Sequence, residues 1–174
     1  MRALPTGICF FSLCLVSCLV AAGEGVFLDT DNPRYVNKVS GFSFALPPGQ
    51  WDAVESDGGR EISIHNGAEG DTEVTRIRAF VRGGYANIPL QTLLNEEAKG
   101  YRDILNEEVG PKNDWFALTA EDTRENYVYV KYFLKGGTAN VLVITAPKKQ
   151  KPSFDLTVSA VARSFKPGFG RSGR

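Results

Sequence analysis

The chain is poor in the residues that do chemistry. Of its 174 residues three are cysteines, and all of them, Cys9, Cys14 and Cys18, lie near the start. The rest has no thiol, which excludes a disulfide framework, a thiolate nucleophile and a cysteine metal site from it. There is one histidine, His65. No multi-histidine metal site can be drawn, and a Ser-His-Asp arrangement can run only through that residue. Neither sign of charge is in surplus, with 20 Lys and Arg against 20 Asp and Glu. That balance argues against nucleic acid, whose binding draws on clustered excess basic residues. After Ala22 no apolar run approaches the ~20 residues that cross a bilayer, and there is no internal repeat or interdomain linker.

What is present starts with "MRALPTGICFFSLCLVSCLVAA": one arginine, an apolar run, then small residues. This is the layout of a signal peptide over residues 1–22, with a small-residue cleavage site before Gly23. A second reading stays open, because Leu15, Val16, Ser17 and Cys18 stand in lipobox order and make Cys18 a candidate for lipidation. Either way the protein is expected to be exported, to the periplasm or the outer face of the cytoplasmic membrane, or to the thylakoid lumen in a photosynthetic source. Membrane attachment is expected only through such an N-terminal anchor. Residues 23–32 read as a tether, 33–167 as a single domain and 168–174 as a flexible, glycine-rich tail. About 150 residues suffice for a packed core without staples.

The stretch "GFSFALPPGQW" at 41–51 alternates Phe42, Phe44 and Leu46 with Ser43 and Ala45, the period of a strand. Pro47, Pro48 and Gly49 then turn the chain, and Trp51 is expected to begin the return strand and to fold back on the phenylalanines. "EISIHN" and "EVTRIRAFV" alternate in the same way across a short loop and read as a hairpin. "NYVYVKYFL" and "NVLVITA" flank a Gly-Gly turn, and the second, almost wholly apolar, reads as a central strand covered on both faces. Between Pro89 and Asn106, Leu90, Leu93, Leu94, Ala98, Tyr101, Ile104 and Leu105 fall at helical spacing. Phe154, Val158, Val161, Ala162 and Phe165 do the same after a possible Ser153 cap. The expected class is α+β, a central, mainly antiparallel sheet flanked by helices on both faces in an α/β/α sandwich.

In this order of elements the chain resembles the PsbP-type domain, a family shared with the Ran-binding Mog-type proteins and with bacterial periplasmic domains such as DcrB. The resemblance rests on "GFSFALPPGQW", the mid-chain helix, the paired strands of "YVKYFLKGGTANVLVITAP" and a last helix closing on "VARSF", and covers about residues 33–167. Here Gln50 stands between the glycine and the tryptophan, which usually adjoin in that family. The resemblance implies a non-enzymatic role in binding, or in the assembly or stability of a larger complex; with the leader and the lack of a catalytic set it gives the expectation of an exported factor for a membrane-associated complex, with a protein partner and no cofactor.

The residues that could carry something else are few. His65 is expected at the surface of a hairpin end; with Glu61 and Ser63 on its face it is the basis of a hydrolase reading. Asp57, Glu69, Asp71 and Glu73 concentrate carboxylates near hairpin ends, which is the basis of a calcium or small-ligand reading. Arg76 and Arg78 point the same way beside Phe80, as interface anchors do, although pairing with Glu61 is the simpler account. Trp51 and Trp115 are expected to pack. Glu96-Glu97 and Glu107-Glu108 are expected on the solvated face of the long helix, and Lys148, Lys149 and Lys151 in a solvated loop.

Overall fold

The computed structural model describes residues 33–49, 51–66 and 74–169, together with the backbone of a strand at Gly25–Leu28. That strand, β1, pairs with β2 (Arg34–Asn37), and β2 pairs with β3 (Ser43–Ala45) in a small antiparallel sheet. Seven strands form the second sheet: β4 (Asp52–Ser56), β5 (Glu61–His65), β6 (Arg76–Arg82), β7 (Asp103–Val109), β8 (Trp115–Glu121), β9 (Asn126–Lys135) and β10 (Thr138–Pro147). Their order is β4-β5-β6-β10-β9-β8-β7, every neighbouring pair antiparallel. Two helices complete the α+β fold, α1 (Leu90–Ala98) and α2 (Lys151–Ser164). Among the described residues no helix is long and apolar enough to cross a membrane.

The apolar strand β10 lies in the middle of the large sheet, and its turn from β9 uses Gly136 and Gly137 at φ 57 and 77, a region costly for residues with a Cβ. Its alternate residues enter two different clusters. Leu142, Ile144 and Ala146 join Ile62, Ile64, Ile77 and Ala79 against Phe154, Val161 and Phe165. Val141 and Ala139 join Phe80, Phe116, Leu118 and Val130 against Leu94 of α1.

The proline corner has a different geometry from the expected hairpin. β3 never pairs with β4; it belongs to the small sheet, and β4 opens the large one. Pro47-Pro48 therefore carry the chain from one sheet to the other. Trp51 does pack against the cluster that holds Phe42 and Phe44, and its indole Nε1 donates to the Pro47 carbonyl at 2.9 Å. The small sheet is fastened to the large one by Tyr35, whose hydroxyl donates to Glu55 at 2.7 Å and accepts from Asn37.

A second correction concerns the long helix. α1 stops at Ala98, and Ile104 and Leu105, read as its continuation, lie on β7. Lys99-Gly100 end the helix, and β7 pairs with β8 at the sheet edge. Glu107 and Glu108 are consequently strand residues. They are exposed, whereas Glu97 is partly buried: it accepts from the Tyr101 hydroxyl at 2.6 Å and the Tyr132 hydroxyl at 2.7 Å.

The last helix carries no side-chain cap; Gln150 precedes it and Pro152 occupies its first turn. Beyond α2 the backbone of Lys166 exchanges two hydrogen bonds with Ser43, and the Gly168 amide donates to Asn140 Oδ1 at 2.9 Å. Gly168 is buried, and a Cβ there would collide with the backbone of Ser40, Gly41 and Phe42. The packed chain thus extends past 167, into the segment expected to be loose; residues 170–174 lie outside the described residues.

Candidate functional site

Two features stand out on the large sheet. The first is the side of β4, β5 and β6 turned away from α2. Alternation sends Ile77 and Ala79 into the core beneath α2 and leaves Arg76, Arg78 and Arg82 on the other side with Phe80. No described element covers the arginines, which are exposed, and Val54 of the neighbouring edge strand is 55% exposed. Arg78 pairs with Glu61 at 2.6 Å. Arg76 and Arg82 have no ion pair among the described residues, and the Arg82 guanidinium lies 4.6 Å from the centroid of the Phe80 ring.

Phe80 itself is 7% exposed, and this corrects its expected role as a surface anchor. It is covered by Arg78 and Arg82 and packs in the cluster that holds Leu94 and Phe116. Exposed guanidinium over a covered ring holds the charges in place with less freedom than free side chains have.

His65 also departs from expectation. It is 8% exposed, set between Asp52 of β4 and Arg76 of β6 in the ladder. Asp57 is exposed in a short 3-10 turn, while Glu69, Asp71 and Glu73 lie outside the described residues, as does Cys18. Among the described residues no group of three or more His, Cys, Asp or Glu side chains could hold a metal ion. The lysine run is an ion-paired turn: Lys148 bonds Glu121, which Arg102 also holds, and Lys151 reaches Asp155 at 2.7 Å.

The second feature is a cleft of about 390 Å³ between α2 and the far half of the sheet. It exists because β8 presents small residues there. Ala117 lies between Glu108 of β7 and Lys131 of β9, and Thr119 lies between Asn106 and Tyr129. α2 forms the wall with Ser159 and Arg163, and Phe154, Val158 and Ala162 add an apolar lining.

Lys131 is the half-buried cation of this cleft. Its Nζ lies 4.1 Å from the Trp115 ring centroid and 4.9 Å from that of Phe133, with no ion pair or hydrogen bond among the described residues. Burial pushes its pKa below the ordinary lysine value, and the Glu108 carboxylate offsets this in part. Burial, with a smaller contribution from Glu108, pushes the Tyr129 phenol up to about 12. Trp115 is therefore the flat partner of a half-buried cation, a role its sequence position did not signal because β8 was not legible as a strand. The small-residue alternation of "WFALTAE" was the available signal.

No family model matches the sequence, and no curated protein matches it. Solved structures do. The solution structure of the cyanobacterial PsbP, CyanoP, from Synechocystis sp. PCC 6803 superposes with a TM-score of 0.51 at 15% sequence identity, over 85% of this chain and 97% of that one. A crystal structure from Bacteroides thetaiotaomicron VPI-5482 reaches a TM-score of 0.42 at 18% identity, over 76% of this chain and 46% of that chain. With two sheets, the central β9–β10 hairpin and the closing helix in place, the chain has a PsbP-like fold.

Proposed function

We propose that the protein acts outside the cytoplasm as a non-enzymatic binding factor that assists the assembly or stability of a membrane-associated complex. A fold alone does not assign a function. The observation that carries the reading is the row of Arg76, Arg78 and Arg82 on the uncovered side of β6, where among the described residues the one ion pair is that of Arg78 with Glu61. Such a surface complements an acidic segment of a protein partner, and electrostatic complementarity of this kind guides association and sets orientation. The PsbP-like fold supports the same reading through the roles that the resemblance implies, and the signal-peptide layout of the sequence over residues 1–22 supports export. In this reading the fold is a full α/β/α sandwich, supported by the split of alternate β10 residues between the α1 and α2 clusters.

Crosslinking and pull-down from solubilised membranes at native abundance tests it. The expected result is one stoichiometric partner, released by salt and lost in Arg76→Glu/Arg82→Glu. Recovery of the bait alone, or capture indifferent to the charge reversal, overturns the reading.

A further inference from the structure

We infer that the cleft between α2 and strands β7–β9 is a binding site for a small monoanionic carboxylate with an apolar body. The inference is independent of the proposed partner surface, because the cleft lies on the α2 side of the sheet and the arginine row on the other.

The charges of the cleft are unequal once existing pairs are removed. Asp155 is held by Lys151, so its carboxylate is already answered. Lys131 and Arg163 have neither ion pair nor hydrogen bond among the described residues, and Glu108 is the one carboxylate left unpaired. Two free cations against one free anion leave room for a single negative charge.

Lys131 carries most of the argument. A half-buried ammonium usually finds an oxygen acceptor, since a desolvated charge without one is costly. Its contacts among the described residues are ring faces, Trp115 and Phe133, which support a cation without accepting its N–H groups in the way an oxygen does. Burial lowers its pKa, in keeping with an ammonium partly withdrawn from water. A carboxylate placed between Lys131 and Arg163 supplies it, with the hydroxyls of Ser159 and Tyr129 as further donors. Phe154, Val158 and Ala162 offer an apolar surface for the rest of the molecule. The cleft's volume lies within the range of small-molecule sites, ~300–1,000 Å³.

The probe is 3-phenylpropionate, with 3-phenylpropionamide as its neutral counterpart. The chain has two tryptophans, so Trp51→Phe leaves Trp115 as the sole indole, directly beside Lys131. Titrating that protein with the acid should give a saturable change in Trp115 fluorescence and in the amide signals of Ser159 and Lys131. The amide should give none. Lys131→Met keeps the stem and removes the charge, and should weaken binding about tenfold or more, as loss of a charge-assisted bond does. The exposed Arg163→Gln should weaken it several-fold, and it decides the matter if Lys131→Met fails to fold. Glu108→Gln should tighten binding by removing repulsion. Absence of saturation up to the solubility limit, equal binding of acid and amide, or undiminished binding in both cation variants overturns the inference.

Discussion

Helix α2 sinks Phe154, Thr157 and Val161 into the sheet and hands the chain on to Phe165, whereas α1 buries Leu94 alone and is tied down by Glu97. Phe165 stacks on Phe42, Phe44 and Phe133 at centroid distances of 6.1, 6.1 and 5.5 Å. α2 is thus held by shape and apolar area, at ~1.5–3 kcal/mol per fully buried side chain. α1 depends on two phenols that converge on one carboxylate. One contact mode fails by leaving a void, the other by leaving orphaned polar groups, and the two failures differ in size and in their response to pH.

The largest expected effect is therefore at the α2 end. Phe165→Ala should destabilise the protein by about 3–5 kcal/mol, because three rings lose their common neighbour and the void cannot collapse without moving both sheets. Urea unfolding measures it, and a loss below ~1 kcal/mol would mean that α2 does not depend on ring packing.

Glu97→Ala should cost about 1–3 kcal/mol, the range for hydroxyls left without an acceptor. Glu96→Ala, which breaks only an exposed pair with Lys99, should cost less than ~0.5 kcal/mol. Amide exchange in α1 separates the two cases: opening should accelerate in the first and not in the second. Equal effects would erase the contrast between the helices.

A pH series sharpens the same contrast. Tyr101 and Tyr132 are raised well above the ordinary phenol value by burial and then by their bonds to Glu97; Tyr35 is raised by burial and then by Glu55. With Tyr129 at about 12, all four release their protons more easily unfolded than folded. Their contribution is complete below pH ~10 and is lost as pH rises above it, since the unfolded phenols ionise first. Lys131, with its lowered pKa, has the opposite sign and adds stability as pH rises towards ~10.5. Four phenols against one amine predict a net fall in the urea midpoint between pH 10 and 11.5. A flat profile would show that the phenols are not buried as described.

Arg76→Ala should change stability by less than ~0.5 kcal/mol, because the side chain is exposed and has no ion pair among the described residues. It belongs at the bottom of the series: loss of capture with unchanged stability is what separates a surface for a partner from a structural ion pair.

How much of this was legible in the sequence follows from how local each signal is. The β9–β10 hairpin was readable because alternation, apolar content and a Gly-Gly turn all agree within about 20 residues. α2 was readable from its stripe. β7 was misread because Ile104 and Leu105 happen to fall at helical offsets from Leu90, and periodicity carried on through Gly100, the residue that ends the helix. An exposed edge strand has no buried face to impose alternation, so β7 offered nothing to oppose that reading. β8 hid because its cleft side mixes Trp115, Ala117, Thr119 and Glu121, so that no clean apolar-polar alternation marks it. Arg76 and Arg78 were visible as a two-residue period, but Arg82 and the cover over Phe80 were not, since that cover comes from α1 and from Arg82. The cleft was invisible because its cation, wall and floor come from separate stretches of chain.

Gly168 gives the fold a timetable. It fits beneath Ser40 and Gly41 only because it lacks a side chain, and next to it Lys166 supplies the hydrogen bonds that finish the Ser43 strand. The floor of the small sheet is thus completed by residues made more than a hundred positions later. Until that segment leaves the ribosome, Phe42 and Phe44 lack part of their cover, and the nascent chain carries these two rings unsheltered. Contacts this distant in sequence form slowly, so the chain spends its synthesis open, a state that invites chaperone binding.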